Sequence, residues 1–265
     1  MDLNIESRGD ADAPAVLLIH GLLGMGRNLW RLADALAKEG YRAITYDQRG
    51  HGRSPWADDY RIETLAHDVL TVLTAQGVER AHFVGHSMGG RVALAATALA
   101  APRVRSLALL DVGPTISEGA LEEIHRIMDP LPAFFPGRAQ ADEFLAGYPP
   151  AIAQFLNMNL RKTGPEHTAG GPPEMHWAFD LIGLRRFLSH GIRLDQSETL
   201  RAWKGPTLML RGEKSHYITV ADTDHAKSLK PDIRIGVIAG AHHWLHVDNL
   251  NDTLHAVRDF LRICA

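Results

Sequence analysis

The sequence predicts an α/β fold with an open, mostly parallel central sheet that is flanked by helices. Two observations support this prediction: short apolar runs recur along the chain, and helix-like stretches separate them. The apolar runs lack the strict alternation of a half-exposed strand, which is typical of parallel strands covered by helices on both faces. Alternating strands and helices imply right-handed crossovers, with ligands expected beyond the carboxyl ends of the strands.

The individual elements follow from local signals. The predicted strands are residues 15–19, 42–46, 81–84, 106–110, 207–210 and 234–238. Glycine just after a helix, or proline beyond it, is a typical stop signal. Three helical stretches end at such signals, namely 29–39 before Gly40, 65–76 before Gly77 and 89–101 before Pro102.

A long insertion interrupts the alternation between Leu110 and Thr207. The inserted segment is rich in proline and carries helical patches, at residues 121–128, 139–146 and 174–189. Because a bare loop of this length is uncommon in a compact domain, we predict a helical lid packed over the sheet end. The predicted division assigns residues 1–114 and 204–265 to the core and 115–203 to the lid. The glycine- and proline-rich stretch 163–173 is predicted to be a flexible loop within the lid.

The composition excludes several classes of protein. The 265 residues carry 28 Lys and Arg against 31 Asp and Glu, a net charge of −3, so the basic footprint of a general nucleic-acid binder is missing. No run approaches the ~18 apolar residues of a membrane span, and no signal-peptide pattern precedes the first strand, so a cytoplasmic location is expected. The single cysteine, Cys264, excludes an intrachain disulfide.

The strongest chemical signal is the segment Gly85-His86-Ser87-Met88-Gly89, which lies between a predicted strand and an alanine-rich helix. G-x-S-x-G in that context is typical of a nucleophile elbow, in which a tight, strained turn projects the serine hydroxyl. The amide of Met88, at the start of the helix, is expected to donate to an oxyanion. Ser87 is therefore the predicted nucleophile.

Two further glycine-rich turns follow predicted strands. His20-Gly21-Leu22-Leu23-Gly24 comes directly after the first strand, where the Leu22 amide is the expected second oxyanion donor. A plain glycine turn is the alternative interpretation of that segment. For residues 47–54 (DQRGHGRS), a structural role is favoured over a catalytic one.

These turns, the Ser87 elbow and a late histidine together resemble the α/β-hydrolase superfamily. The similarity is narrower at residues 85–91 (GHSMGGR), 110–114 (LDVGP) and 238–246 (IAGAHHWLH), which resemble small bacterial esterases and acyl-CoA thioesterases of the YbfF type. The resemblance implies a lidded serine hydrolase with no cofactor, acting on esters or thioesters, with the Leu22 and Met88 amides as the oxyanion hole.

The catalytic base is expected late in the chain, because the superfamily order is serine, then acid, then histidine. His243 lies in the loop after the last predicted strand and is the preferred base, with His242 and His246 as alternatives. A zinc site built from these three histidines is disfavoured, since the H-E-x-x-H pattern is absent. We therefore predict no metal.

The third member of the predicted triad is the acid. Relatives commonly carry an aspartate in the loop after the penultimate strand, and here Ser215 occupies that slot. A serine cannot stabilise imidazolium by charge, so another carboxylate is expected to orient His243. Asp111, at the carboxyl end of a predicted strand, is the preferred acid, although a turn cap is its alternative role. Glu213 is the second choice, with Asp222 and Asp224 behind it.

The sequence therefore predicts a serine hydrolase that cleaves small carboxylic esters or thioesters through an acyl-enzyme on Ser87. A carbon–carbon bond hydrolase with the same triad and a ligand receptor on the same fold are the alternatives. The lid arginines Arg161, Arg185 and Arg186 are interpreted as solvated surface charges, with contact to an anionic group such as coenzyme A phosphate as the alternative. Some of the large apolar lid residues are expected to line an acyl pocket, the candidates being Phe134, Phe135, Phe155, Leu156, Met158, Trp177, Phe179 and Leu184.

Overall fold

Strands and helices alternate through the first part of the chain. The structure is a computed structural model that describes residues 1–162 and 174–264, so the predicted loop at 163–173 lies outside the described residues. The elements up to the insertion are β1 (Ile5–Arg8), β2 (Ala15–Ile19), α1 (Trp30–Lys38), β3 (Arg42–Tyr46), α2 (Ile62–Ala75), β4 (Ala81–His86), α3 (Met88–Ala100) and β5 (Val104–Leu110).

The insertion has its own secondary structure, and the alternation then resumes. Between β5 and the next strand of the main sheet lie α4 (Glu118–Met128), β6 (Phe134–Phe135), α5 (Arg138–Leu145), α6 (Pro150–Met158), β7 (Leu160–Lys162), β8 (Met175–Trp177), α7 (Leu181–His190) and α8 (Ser197–Ala202). The chain closes with β9 (Thr207–Gly212), α9 (Val220–Leu229), β10 (Arg234–Ile238), α10 (Leu245–Asp248) and α11 (Leu250–Arg262).

Within the described residues, the main sheet has seven strands in the order β1-β3-β2-β4-β5-β9-β10. Every pairing is parallel except that of β1 with β3, which confirms the mostly parallel α/β prediction. The strand before the elbow, β4, lies at the centre of this order. Parallel strands have their carboxyl ends on the same side of the sheet. The residues that follow β2, β4, β5, β9 and β10 are therefore gathered beyond these carboxyl ends.

Residues of β2 show why the strands carry apolar runs instead of alternating. Leu17 and Ile19 pack in a cluster with residues of α2 and α3, whereas Val16 and Leu18 pack on the opposite face with α1 and α11. All four side chains are fully buried. A strand that is covered on both faces must be apolar at every position, and this is the pattern that the sequence shows.

The predicted and observed elements differ most in two places. The strand β1 was not predicted, because its half-polar sequence contains no apolar run and it pairs only along the sheet edge. The predicted helix 174–189 is wrong over its first residues. There Met175–Trp177 form β8, which pairs with β6 and β7 in a three-stranded antiparallel sheet. The helix α7 begins only at Leu181, where the Asp180 side chain accepts from the Gly183 amide at 3.0 Å.

The inserted segment contacts the core at both of its ends and in its middle. The Arg91 guanidinium of α3 donates to the carbonyl oxygens of Pro114 and Leu194, which flank the insertion helices. The Gly52 amide donates to the Ala178 carbonyl at 2.6 Å, next to β8. Residues of α4 and α6 lie beyond the carboxyl ends of the strands, where they line one cavity together with Ser87. In the described part of the chain, no helix is long and apolar enough to cross a membrane.

Candidate active site

Ser87 lies on the turn from β4 into α3, with φ 53° and ψ −127°. Positive φ is strained for a residue with a side chain, and such strain is commonly found at functional sites. The turn is tight enough that a Cβ added to Gly85 would overlap Gly90, and one added to Gly89 would overlap the Ile19 carbonyl. The amide of Ser87 donates to the Leu110 carbonyl at 3.0 Å, which ties the turn to β5.

The turn after β2 approaches Ser87 closely. A Cβ added to Gly21 would lie 3.0 Å from the Cβ of Ser87, so this position has no room for a side chain. The turn is closed by a 3.1 Å hydrogen bond from the Gly24 amide to the Gly21 carbonyl. Leu22 and Met88 line one cavity together with Ser87. The Met88 amide opens α3, where a first-turn amide has no intrahelical acceptor and can serve a ligand.

Asp111 and His243 are brought into direct contact. Asp111 follows β5 with φ 53°, and its Oδ2 lies 2.8 Å from Nδ1 of His243. Its Oδ1 accepts from the Gly212 amide at 2.8 Å. The hydroxyl of Ser215 donates to Oδ2 at 2.5 Å. Both oxygens of the Asp111 carboxylate therefore have hydrogen-bond partners. Besides His243, these are Gly212 at the end of β9 and Ser215 in the loop that follows.

This contact fixes the tautomer of His243. An ionised carboxylate can only accept, so Nδ1 must carry the proton that is shared with Asp111. Neutral His243 then has an unprotonated Nε2, which is the form needed to take a proton from a nucleophile. The Asp111 side chain is 0% exposed and the His243 side chain 10%, so bulk water screens their interaction little.

Aromatic rings surround the His243 imidazole. The Tyr217 ring stacks on it, with centroids 3.9 Å apart and planes 21° from parallel. The His86 ring lies 4.7 Å from it, and His86 Nε2 donates to the His243 carbonyl at 2.8 Å. Burial lowers the pKa of His86 well below its usual value and that of His246 to about 3, so both rings are neutral. The imidazole is therefore packed by uncharged rings.

The alternative bases and acids are engaged elsewhere. His242 is exposed, and its amide donates to Asp248. His246 is buried against the His86 ring. Glu213 accepts from the Gly240 amide at 2.7 Å, and Asp222 caps the start of α9. Asp224 is exposed on α9. Among the predicted candidates, only Asp111 and His243 are joined by a hydrogen bond in the part of the chain that the structure describes.

Two small apolar cavities meet at Ser87 and His243. The first, of about 60 Å³, is lined by α4 and α6 together with Trp244. The second, of about 40 Å³, extends below Ile116, Ile192 and Ile218. Both are only a few times the roughly 10–15 Å³ that a cavity needs to hold one water. Both therefore suit short apolar substituents.

The residues of the inserted segment that line these two cavities differ from most of those expected. Among the predicted acyl-pocket residues, only Phe155 lines one of the two cavities, where it packs against Trp244 with ring centroids 5.1 Å apart. Most of the others are buried instead in the same apolar cluster as Leu17 and Ile19 of the sheet, namely Phe135, Leu156, Trp177, Phe179 and Leu184. The lining instead comes from residues that the sequence did not single out, namely Ile124, Ile127, Met128 and Ile152.

The structure also bears on two predictions about residues away from Asp111 and His243. The prediction that Arg185 is a solvated surface charge is wrong, because its guanidinium donates to the carbonyls of Met128, Asp129 and Leu131. In the turn at 47–54, the Asp47 carboxylate accepts hydrogen bonds from the Gly26 and Arg53 amides, which is a structural role. Within the described residues, no cluster of three side chains has the arrangement of a metal site.

Comparisons with known proteins bear on the family and fold of this chain. The model of the alpha/beta hydrolase fold family matches residues 14–250. Esterase YbfF of Escherichia coli (strain K12) is 30% identical over 265 residues, covering 98% of this chain and 99% of that protein. The sn-1-specific diacylglycerol lipase ABHD11 of Mus musculus is 30% identical over 264 residues, covering 96% of this chain and 82% of that protein.

A solved structure supports the same conclusion. A marine microorganism esterase superposes with a TM-score of 0.84 at 26% identity, covering 98% of this chain and 99% of the other. The predicted resemblance to esterases of the YbfF type is thus confirmed. By its sequence and its fold, the chain belongs to the α/β hydrolase fold family and is a hydrolase.

Proposed function

We propose that this hydrolase cleaves carboxylic esters or thioesters of short apolar acyl groups through an acyl-enzyme on Ser87. The observation that carries the proposal is the hydrogen bond between Nδ1 of His243 and the buried Asp111 carboxylate. His243 lines both of the cavities that Ser87 lines. Acyl transfer through an acyl-enzyme requires a serine nucleophile, a histidine base and a buried carboxylate that orients the histidine. The esterase names of relatives support the same chemistry.

In the proposed first step, Nε2 of His243 takes the hydroxyl proton as Ser87 Oγ attacks the acyl carbonyl. The carbonyl oxygen becomes an oxyanion, which the amides of Leu22 and Met88 hold by hydrogen bonds. Preorganised amide donors act strongly there because water is largely excluded. Asp111 stabilises the imidazolium that forms. The protonated imidazole then donates its proton to the leaving alcohol or thiol, and the acyl group stays on Ser87.

The second step returns the enzyme to its starting state. His243 takes a proton from a water molecule, whose oxygen attacks the acyl-enzyme carbonyl. The same two amides hold the second oxyanion. When this intermediate collapses, the proton returns to Ser87 Oγ and the carboxylic acid leaves. Neutral His86 and His246 beside the imidazole add no like charge that would oppose its protonation.

The size of the two cavities supports a preference for short acyl groups. At about 60 and 40 Å³, the cavities suit an acyl chain of a few carbons on one side of Ser87 and a compact leaving group on the other. Isoleucines contribute to both linings, with Phe155 and Trp244 on the larger side. A long acyl chain would need the insertion helices to move outward.

The test is steady-state hydrolysis of p-nitrophenyl esters, from acetyl to long-chain acyl, with Ser87→Ala measured beside the wild type. We expect wild-type kcat/KM to be highest for the short chains and Ser87→Ala to fall to background on every ester. Equal turnover by both proteins would refute Ser87 as the acyl nucleophile. No turnover by the wild type on any ester would favour the carbon–carbon hydrolase or the ligand receptor instead.

A further inference from the structure

A third and larger cavity lies beside the segment that connects β2 to α1. Its volume is about 470 Å³, and neither Ser87 nor His243 lines it. Four cationic side chains line it, Arg27, Arg53, Arg161 and Lys162, and all four are exposed to solvent. The cavity is thus open and basic, whereas the two cavities at Ser87 are small and apolar.

The positive charge in this cavity is only partly compensated. Among the described residues, Arg53, Arg161 and Lys162 take part in no ion pair. The Arg27 guanidinium donates to the Met158 carbonyl, which is uncharged. Burial, and the nearby Arg53 and Arg27, lower the pKa of Arg161, while Asp47 opposes this shift. The cations are therefore close enough to repel one another, and an anion between them would relieve that repulsion.

The two acidic residues of the cavity are already engaged. Glu6 forms an ion pair with Arg8 at 3.2 Å. The Asp47 carboxylate accepts from three donors, the amides of Gly26 and Arg53 and the side-chain nitrogen of Asn4, at 2.7, 2.8 and 2.9 Å. Glu6 is thereby paired with Arg8, so the Asp47 carboxylate is the single negative charge of this lining left to offset the four cations.

Buried donors without partners provide a second, independent observation. Thr45 is 1% exposed, and its hydroxyl has no hydrogen-bond partner in the described structure. Thr45 lies opposite Glu6 in the β1–β3 register, so both side chains project to the face that lines the cavity. The indole N–H of Trp30, which also lines the cavity, is buried and equally without a partner. Buried polar groups are nearly always satisfied in native proteins, so a ligand or water is expected there.

We propose that this cavity binds a small organic phosphate. Arginine guanidinium groups hold phosphate oxygens through paired, charge-assisted hydrogen bonds, and a lysine adds a point charge. The hydroxyl of Thr45 and the indole N–H of Trp30 are then the neutral donors to the remaining oxygens. A phosphate offers more acceptor oxygens than a carboxylate, which suits a site with four cations. This inference does not rest on the proposed ester hydrolysis.

The phosphate could come from two sources, since the two sites share their walls. Met25, Gly26 and Arg27 line the basic cavity, and the next residues, Asn28 and Leu29, line the catalytic one. The helix α6 likewise contributes Phe155 to the catalytic cavity, and Met158, its last residue, lines the basic one. The bound phosphate thus belongs either to the substrate's own leaving group or to a separate small molecule.

The test is calorimetric titration of the full-length protein with inorganic pyrophosphate, supported by its effect on Tm. We expect binding that weakens with added salt and raises Tm. Arg53→Gln and Arg161→Gln should each weaken the affinity about tenfold, and Thr45→Val should weaken it by a smaller factor. Arg201→Gln, an exposed arginine on α8, is the matched control and should bind as the wild type does. No binding at millimolar pyrophosphate, or equal affinity in all variants, would overturn the proposal.

A second experiment distinguishes the two sources. The acetyl monoester of hexanediol is compared with the same ester carrying a phosphate on its free end. If the phosphate belongs to the substrate, Arg161→Gln should lower kcat/KM for the phosphorylated ester about tenfold relative to the neutral one. If a separate molecule binds, this ratio should stay the same while pyrophosphate still binds the wild type. Because the titration needs no turnover, failure of ester hydrolysis would not affect the binding result.

Discussion

Asp111 lies beside His243 because of the order of strands in the sheet. Since β5 and β9 are parallel neighbours, their carboxyl ends adjoin, and Asp111 reaches His243 from the end of β5. Ser215, in the loop after β9, stands where the family resemblance led us to expect an acid, and its hydroxyl donates to the Asp111 carboxylate. We therefore infer that the imidazole is oriented from the end of β5, with the loop after β9 holding the carboxylate.

If Asp111 orients His243, Asp111→Asn should lower kcat on a short p-nitrophenyl ester by about 10³–10⁴-fold while leaving the fold intact. The amide is nearly isosteric but carries no charge to stabilise the imidazolium. Glu213→Gln, which removes the rival carboxylate, is the matched control and should stay close to wild-type turnover. Steady-state kinetics and far-ultraviolet circular dichroism provide the two measurements. Near-normal turnover in Asp111→Asn would transfer the role to Glu213.

The elbow glycines make a second prediction at the residue scale. A methyl group on Gly89 would overlap the backbone carbonyl of Ile19, which cannot move without shifting β2. Gly89→Ala should therefore lower the free energy of unfolding by about 2–4 kcal/mol. Gly119, in α4, has open space around the same position, and Gly119→Ala should raise stability by about 0.5–1 kcal/mol. Urea denaturation measures both, and equal stability of the two variants would contradict the packing argument.

At the scale of elements, α4 and α6 determine the size of the catalytic cavity. Ile124, Ile127 and Met128 come from α4, and Ile152 and Phe155 come from α6. These positions recur at helical spacing, so each helix presents one apolar face to the cavity. Arg185 of α7 donates to carbonyls of the chain just after α4 and so ties α7 to α4. Substitutions on these two faces should change chain-length preference without touching the catalytic pair.

Phe155→Ala tests whether the apolar face of α6 limits the length of the acyl chain. Truncation removes the ring that closes the cavity against Trp244, so the optimum of kcat/KM should move to acyl chains longer by several carbons. Phe134→Ala is the matched control: Phe134 is 43% exposed and lines neither cavity at Ser87. The p-nitrophenyl ester series gives the measurement. An unchanged optimum in Phe155→Ala, or the same shift in Phe134→Ala, would show that this helix face does not limit the acyl group.

The elements also show how far the sequence could predict the fold. The strands β2 and β3 were predicted at their exact bounds; in β2, Val16 and Leu17 face different clusters, so both must be apolar. The strands β4, β5 and β9 are each two residues longer than the predicted apolar runs. Of the two edge strands, β10 was predicted, whereas the half-polar β1 was missed. Met175–Trp177 was assigned to a helix because local pattern favours one, whereas pairing with two other short strands decides its structure. Such pairing depends on residues distant in sequence.

Across the whole molecule, the site was predictable where a local motif carries it. The serine elbow and the turn containing Leu22 were identified from glycine spacing, and Asp111 from its position at a strand end. Tyr217, which stacks on His243, has no local signal, because only the folded chain brings the loop after β9 over the imidazole. The basic cavity was missed for the same reason: Arg27, Arg53 and Arg161 come from three separate segments.

Buried histidines make the stability of the whole molecule depend on pH. Burial lowers the pKa of His51 and His246 to about 3 and that of His82 to about 4, and it also lowers the pKa of His20 and His86. An unfolded histidine titrates near pH 6.5, so below that pH the unfolded chain binds protons that the folded chain excludes. Stability is therefore fully present above about pH 6.5 and is lost as the pH falls toward the folded pKa values.

We expect the free energy of unfolding to be nearly constant above about pH 7 and to fall steeply below pH 6.5, by about 1.4 kcal/mol per pH unit for each such histidine. Urea denaturation between about pH 8 and pH 5 measures this slope. His246→Gln should reduce the slope by the share of one histidine, whatever its effect on stability at neutral pH. His67→Gln, at an exposed position on α2, should leave the slope unchanged. If both variants keep the wild-type slope, other groups dominate the acid sensitivity and His246 is not held neutral by burial.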